Sequence, residues 1–140
     1  MKEWTVEATV ENISVVKGEI GAELEKLNCS KKAHRKINVA LDELLNNIAC
    51  YAYPPEDGTG SVTVEMRYNE KNETVTITLI DSGIAYNPLE KEDPDITLGA
   101  EERPVGGLGI LMVKKKMDGM EYRREGDRNI LTIHKRIREE

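Results

Sequence analysis

Val62, Val64, Met66 and Tyr68 alternate with polar residues, and Val75, Ile77 and Leu79 do the same a few residues later. Only the stretch from Asn69 to Asn72 separates the two runs, which predicts an antiparallel hairpin with one apolar face. A sheet of that kind buries its apolar face only if another layer covers it. The cover is predicted upstream. Ile13, Val16, Ile20, Leu24 and Leu27 fall on one face of a helix reaching about Leu27, with Asn12 or Ser14 as its N-cap. Ser30 caps a second helix, which stops at Tyr53-Pro54-Pro55. A first strand precedes both, with Trp4, Val6, Ala8 and Val10 alternating against Thr5, Glu7 and Thr9.

Beyond the hairpin the periodicity is lost until residue 108. Pro88, Pro94, Pro104 and several acidic residues occupy this stretch, which is too long for an ordinary connector and reads as a lid over about residues 82–107. A short helix over 108–118 follows, with Gly119 as its stop. A closing hairpin pairs 120–124 with 129–137 around Gly126-Asp127. The expected fold is a two-layer α/β sandwich, with a mixed, mostly antiparallel sheet and its helices on one face. All 140 residues fit one domain with a substantial core.

Composition narrows the function. A net charge of −6 argues against a general nucleic-acid binder, and Lys114, Lys115, Lys116, Arg136 and Arg138 read as solvated element ends. No run approaches the roughly eighteen apolar residues of a membrane span, and no apolar signal region follows the strand-like start. A cytoplasmic location is expected. Cys29 and Cys50 lack metal-ligand spacing and are expected to be reduced, partly buried thiols. His34 and His134 fit no zinc motif.

Three short stretches carry chemistry. On the second helix, at roughly 100° per residue, Ile37, Leu41, Leu44 and Ile48 make the core face. Glu43 and Asn47 share the stripe beside it with Ala40 and Tyr51, while Asn46 points away from the core. An amide oxygen is a hard ligand suited to Mg²⁺, and a carboxylate one turn earlier can orient water or take a proton. Asp81 continues the alternation of Val75, Ile77 and Leu79, so its carboxylate is expected on the apolar side, where it needs a hydrogen-bond partner such as an adenine amine. Gly83 would let a flat base approach. Gly106-Gly107-Leu108-Gly109 opens a helix, where backbone N–H groups and the helix dipole suit phosphate. It matches neither the P-loop nor the dinucleotide fingerprint. Read singly, each stretch has a plain alternative: polar residues on a helix boundary, a turn closing a strand, and a hinge beside a helix.

Taken together, the chain resembles the GHKL (Bergerat-fold) ATP-binding domains, specifically the anti-sigma-factor serine/threonine kinases, over nearly its whole length. Residues 40–49 resemble the N box, Asp81-Ser82-Gly83-Ile84-Ala85 the G1 box, and Gly106-Gly107-Leu108-Gly109-Ile110 the G2 box. The resemblance implies ATP and Mg²⁺ as cofactors, with Asn47 binding the metal and Glu43 serving as base. It also implies Asp81 on the adenine amine with Gly83 beside the base, and Gly107, Leu108 and Gly109 in the phosphate turn. It implies transfer to a serine or threonine of a small anti-anti-sigma (STAS-type) partner, sequestration of a sigma factor, and often a homodimer. Direct nucleic-acid and membrane contacts are not expected. Three positions depart from the family pattern. Ala85 stands where a second glycine is frequent, Tyr51 follows Asn47 where a histidine is frequent, and Arg103 is the candidate for a lid arginine in a shifted register. A histidine-kinase catalytic domain would need an upstream phosphoacceptor helical hairpin, and the gyrase and mismatch-repair relatives a further domain, so neither is the expected match. The alternative function is a nucleotide-gated protein-binding module without efficient kinase activity.

Overall fold

The computed structural model of the chain describes residues 1–53, 60–90 and 107–138. The elements are β1 (Lys2–Glu7), α1 (Val10–Lys26), α2 (Lys31–Asn47), a π-helical turn (Ile48–Ala52), β2 (Ser61–Asn69), β3 (Thr74–Asp81), a 3₁₀ turn (Pro88–Glu90), α3 (Gly107–Lys116), β4 (Gly119–Glu125) and β5 (Arg128–Arg136). The five strands form one sheet in the order β1-β2-β3-β5-β4. Every pairing is antiparallel, so the expected mixed sheet is corrected to a wholly antiparallel one among the described residues. Hairpin connections make β2–β3 and β4–β5; the connection through α3 carries the chain from β3 to β4 at the edge, and β5 then returns between them, antiparallel to both.

Helices and sheet share one core. Ile13, Val16, Ile20 and Leu24 of α1, Ile37, Leu41 and Leu45 of α2, and Val113 of α3 pack with Val64, Ile77, Leu79 and Ile133 of the sheet. The opposite sheet face is mostly polar, with Ile80 and Ile130 paired on it, and laced by cross-strand bonds, including Thr5–Thr63 at 3.0 Å and Thr76 to His134 Nδ1 at 2.9 Å. No described helix is long and apolar enough to cross a membrane.

Three local expectations are corrected. Thr9, not Asn12 or Ser14, is the N-cap of α1: its hydroxyl accepts the Asn12 N–H at 3.2 Å, and Asn12 Nδ2 donates back to the Glu7 carbonyl at 3.2 Å. The first strand therefore ends at Glu7, and Val10 is the first, exposed residue of the helix. Gly119 begins β4, paired with His134 of β5, instead of stopping α3, which ends at Lys116; a Cβ on Gly119 would meet the His134 ring at 3.0 Å. Of the two free thiols, Cys29 is half-buried as expected, but Cys50 is exposed.

Ser30 caps α2 as expected, accepting the Ala33 N–H at 3.1 Å. Between the helices, Asn28 takes a left-handed backbone (φ 57°), and the Asn28 and Cys29 N–H groups close on Glu25 and Leu24 carbonyls at 3.0 Å each. This terminates α1 sharply. The predicted lid falls largely on residues outside the described ones, and Arg103 with it.

Candidate functional site

The end of α2, the end of β3 and the start of β5 enclose a cavity of about 330 Å³. Its wall is mostly apolar: Leu44, Ile48 and Ala52 from the helix end, Ile84 and Pro88 from the segment after β3, and Leu131 from β5. Tyr51, Tyr86 and Tyr122 add aromatic faces. Asp81, Asn129 and Asn47 supply the polar groups. A small, mainly apolar cleft with a few convergent polar groups is the usual form of a small-molecule site.

Asp81 is 6% exposed, on the apolar side of β3 as its strand parity predicts. Two donors, the Gly83 N–H and Asn129 Nδ2, reach the same oxygen, Oδ1, each at 2.9 Å. Oδ2 takes no hydrogen bond from the described residues. Asp81 lines the cavity, so this carboxylate can accept a further donor there, and the cavity is complementary to a flat ligand that brings an N–H to that edge. An aminopurine meets both demands, apolar faces and an amine on the rim.

Gly83 does something other than what its sequence context suggests. It does not line the cavity; it lies against the π turn of α2, where an added Cβ would sit 2.2 Å from the Ala52 carbonyl oxygen. That carbonyl accepts the Ile84 N–H at 2.9 Å. The glycine thus permits close approach of two backbones and fixes the turn that presents Asp81.

On α2, Asn47 reaches the cavity wall and Asn46 is exposed, as the helical phase predicts. Asn47 Nδ2 donates to Glu43 Oε1 at 3.4 Å, one turn back. This commits the amide nitrogen and leaves the amide oxygen for another partner. Glu43 itself is half-buried and lies outside the cavity wall. Gly107, Leu108 and Gly109 form the first turn of α3, so their backbone N–H groups include the helix's unpaired donors. Ile110, Val113 and Met117 anchor α3 in the core, and the helix packs against α2.

Two contributors escaped the motif reading. Tyr53 donates its hydroxyl to the Ser61 carbonyl and accepts the Ser82 N–H at 2.9 Å, tying the end of α2 to β2 and to the exit of β3. Burial, with the nearby carboxylates of Asp81 and Asp127 adding to it and the Ser82 N–H opposing it, pushes the Tyr53 phenol above its ordinary pKa. Asn129 stands directly across from Asp81 in the β3–β5 register and is 6% exposed. The available signal was parity: Asn129 shares the face of Leu131 and Ile133, and a polar residue on an apolar strand face needs a reason.

Known proteins share the fold. The model of the histidine kinase-like ATPase domain matches residues 6–135. The serine/threonine-protein kinase BtrW of Bordetella bronchiseptica is 25% identical over 97 residues, covering 69% of this chain and 66% of that protein. The RsbU and RsbW domains of Rv1364c from Mycobacterium tuberculosis superpose with a TM-score of 0.63 at 13% identity, over 98% of this chain and 33% of theirs. The Acinetobacter baumannii histidine kinase AdeS gives a TM-score of 0.55 at 12% identity, over 99% of this chain and 70% of that one. The chain thus spans just under two thirds of the curated relative and one third of the first solved structure, and the two structural likenesses are of fold. With its motifs, its antiparallel sheet under three helices, and a family match running almost from end to end, the chain belongs to the histidine kinase-like ATPase domains, whose ligand is ATP.

Proposed function

We propose that this chain is an ATP-dependent protein-serine/threonine kinase acting as an anti-sigma factor. It phosphorylates a small anti-anti-sigma (STAS-type) protein, and it holds a sigma factor when that partner is absent or already phosphorylated. The observation that carries the nucleotide half is Asp81, a buried carboxylate whose two donors among the described residues both fall on Oδ1, in an apolar, aromatic-walled cavity. Support for the acceptor half is the similarity to BtrW, which is named a serine/threonine-protein kinase.

In this reading Asp81 accepts the adenine amine and the cavity walls sandwich the base. The backbone N–H groups of Gly107, Leu108 and Gly109 bind phosphate oxygens at the start of α3. Asn47 is the residue that would hold Mg²⁺, through the amide oxygen its bond to Glu43 leaves over. Bound there, the metal supplies charge neutralisation at the phosphates. Glu43 takes the proton of the acceptor hydroxyl as that oxygen bonds to the γ-phosphorus and the bond to the ADP oxygen breaks.

The first test is thermal melting with and without Mg-ATP, Mg-ADP and NADH. At a hundredfold excess over Kd, a ligand specific to the folded state adds about 2.7 kcal/mol. For a chain of this size that is several degrees. Wild type should rise with ATP and ADP and not with NADH, and the rise should be much smaller in Asp81→Asn. No rise with saturating Mg-ATP would sink the proposal. Glu43→Gln should then bind ATP normally and lose phosphoryl transfer to the partner. One observation favours the alternative, a nucleotide-gated binding module: the cavity wall includes Asn47 but not Glu43. Under that reading Glu43→Gln changes neither ATP binding nor partner affinity, and wild type transfers no phosphate.

A further inference from the structure

We infer that Asn129 is the positioning residue that makes Asp81 read the nucleobase edge, so that selectivity for an amine-bearing purine depends on a side chain that does not itself contact the base. The inference rests on the assignment of Asp81 to the base.

Every hydrogen-bonding group of Asn129 is spent within the protein. Its Nδ2 donates to Asp81 Oδ1 at 2.9 Å and to the Ile84 carbonyl at 2.8 Å. Its Oδ1 accepts from the Tyr122 hydroxyl, from Arg124 Nη1 at 3.0 Å and from the Tyr86 N–H at 3.4 Å. A side-chain amide offers two donors and two acceptor lone pairs, so nothing is left to address a ligand. Arg124 Nη1 also donates to the Gly83 carbonyl at 2.9 Å, closing a ring through β4, β5 and the turn after β3.

The consequence lies on Asp81. With the Gly83 N–H and Asn129 both on Oδ1, rotation of the carboxylate would break two hydrogen bonds inside a buried site. Oδ2 is therefore the oxygen that Asp81 keeps available to a ligand. A base with an amine at that edge donates to it. A base with a carbonyl there sets two acceptors against each other, and the buried carboxylate cannot turn to relieve them. Removing Asn129 frees Oδ1 and the rotor, so Asp81 can satisfy itself locally and the discrimination falls.

The test uses the full chain and the ratio of Kd for inosine triphosphate, which carries a carbonyl where ATP carries the amine, to Kd for ATP. It is measured by calorimetry for wild type, Asp81→Asn, Asn129→Leu and the double variant. Wild type should favour ATP. Asn129→Leu should reduce the ratio about tenfold, the scale of a hydrogen bond to a charged group. The double variant should discriminate no less than Asp81→Asn alone, because both residues act through one contact. A merely structural Asn129 would weaken both nucleotides in parallel and leave the ratio unchanged, and that overturns the inference. If Asn129→Leu fails to fold, Tyr122→Phe, which removes one donor from Asn129 Oδ1, decides: a lowered ratio supports the inference and an unchanged one overturns it. If wild type itself does not discriminate, or Asp81→Asn leaves the ratio intact, the assignment of Asp81 to the base fails as well. Loss of discrimination in Asp81→Asn but not in Asn129→Leu removes the positioning role alone.

Discussion

Gly83→Ala separates two explanations of one glycine. If the residue is small to admit a base, adding a methyl lowers ATP affinity and leaves the empty protein as stable as before. The structure gives the other answer. The new Cβ would lie 2.2 Å from the Ala52 carbonyl oxygen and 2.7 Å from Ala52 carbon and Cβ, well inside ordinary contact at 3.4 Å or more. The obstacle is backbone of the π turn, which cannot swing aside as a flexible side chain can. Overpacking of this kind costs about 1–3 kcal/mol. Relief by separation breaks the Ile84 N–H to Ala52 carbonyl bond, worth about 1 kcal/mol more. The sum is about 2–4 kcal/mol, or a melting temperature lower by roughly 8–15 °C in a chain of this length. The assay is thermal and urea unfolding without nucleotide. The control is Gly18→Ala in α1, where nothing lies within 4 Å and the exchange should raise stability by about 0.5–1 kcal/mol. A Gly83→Ala protein that melts with wild type and loses only ATP affinity would refute the reasoning.

Two further outcomes follow from the same contacts. Thr9→Ala and Ser30→Ala each remove a hydroxyl that accepts a helix N–H, and each should cost about 1 kcal/mol in urea unfolding, whereas Ser14→Ala, which loses no cap, should be close to neutral. Tyr53 keeps its proton more tightly in the folded chain than in the unfolded one. Its contribution to stability should therefore be complete below about pH 10 and be lost as the pH rises through its higher folded value. Unfolding followed across that range should show an alkaline loss that Tyr53→Phe lacks.

What the sequence made legible was whatever depends on periodicity and order. Strand parity placed Asp81 on the buried face, helical phase separated Asn47 from Asn46, and the run of hairpins and helices gave the two layers. Boundaries were less legible. Thr9 continues the alternation of β1, and nothing local tells a strand residue from a cap; what decides is that Ala8 bonds Gly60 and the chain must leave the sheet. The mixed sheet was a reasonable expectation from helices lying between strands, but β5 enters beside β3 as the return of a hairpin, so no parallel pair arises. Asn129 carried a parity signal of its own, yet its importance exists only in the β3–β5 register that sets it opposite Asp81.

The π turn at Ile48–Ala52 explains why these parts work as one site. An α-helix ended at Asn47 would stop short of β3. One wider turn carries Ile48, Tyr51 and Ala52 onto the cavity wall and aims the Ala52 carbonyl at the Ile84 N–H. Gly83 lets the two backbones meet, and its own N–H then holds Asp81 Oδ1. The helix bearing Asn47 and the strand bearing Asp81 are thereby fixed to each other through Ala52, Gly83 and Asp81, with the Tyr53 hydroxyl on the Ser82 N–H beside them. Tyr53 leaves the helix in an extended conformation just after this contact, as suits a residue that precedes a proline in the sequence. Any change that returns the π turn to α winding, such as deletion of one residue within it, should therefore separate Asn47 from Asp81 and abolish nucleotide binding while leaving the distant α1–sheet core intact; retained binding would show that the cavity does not depend on the turn.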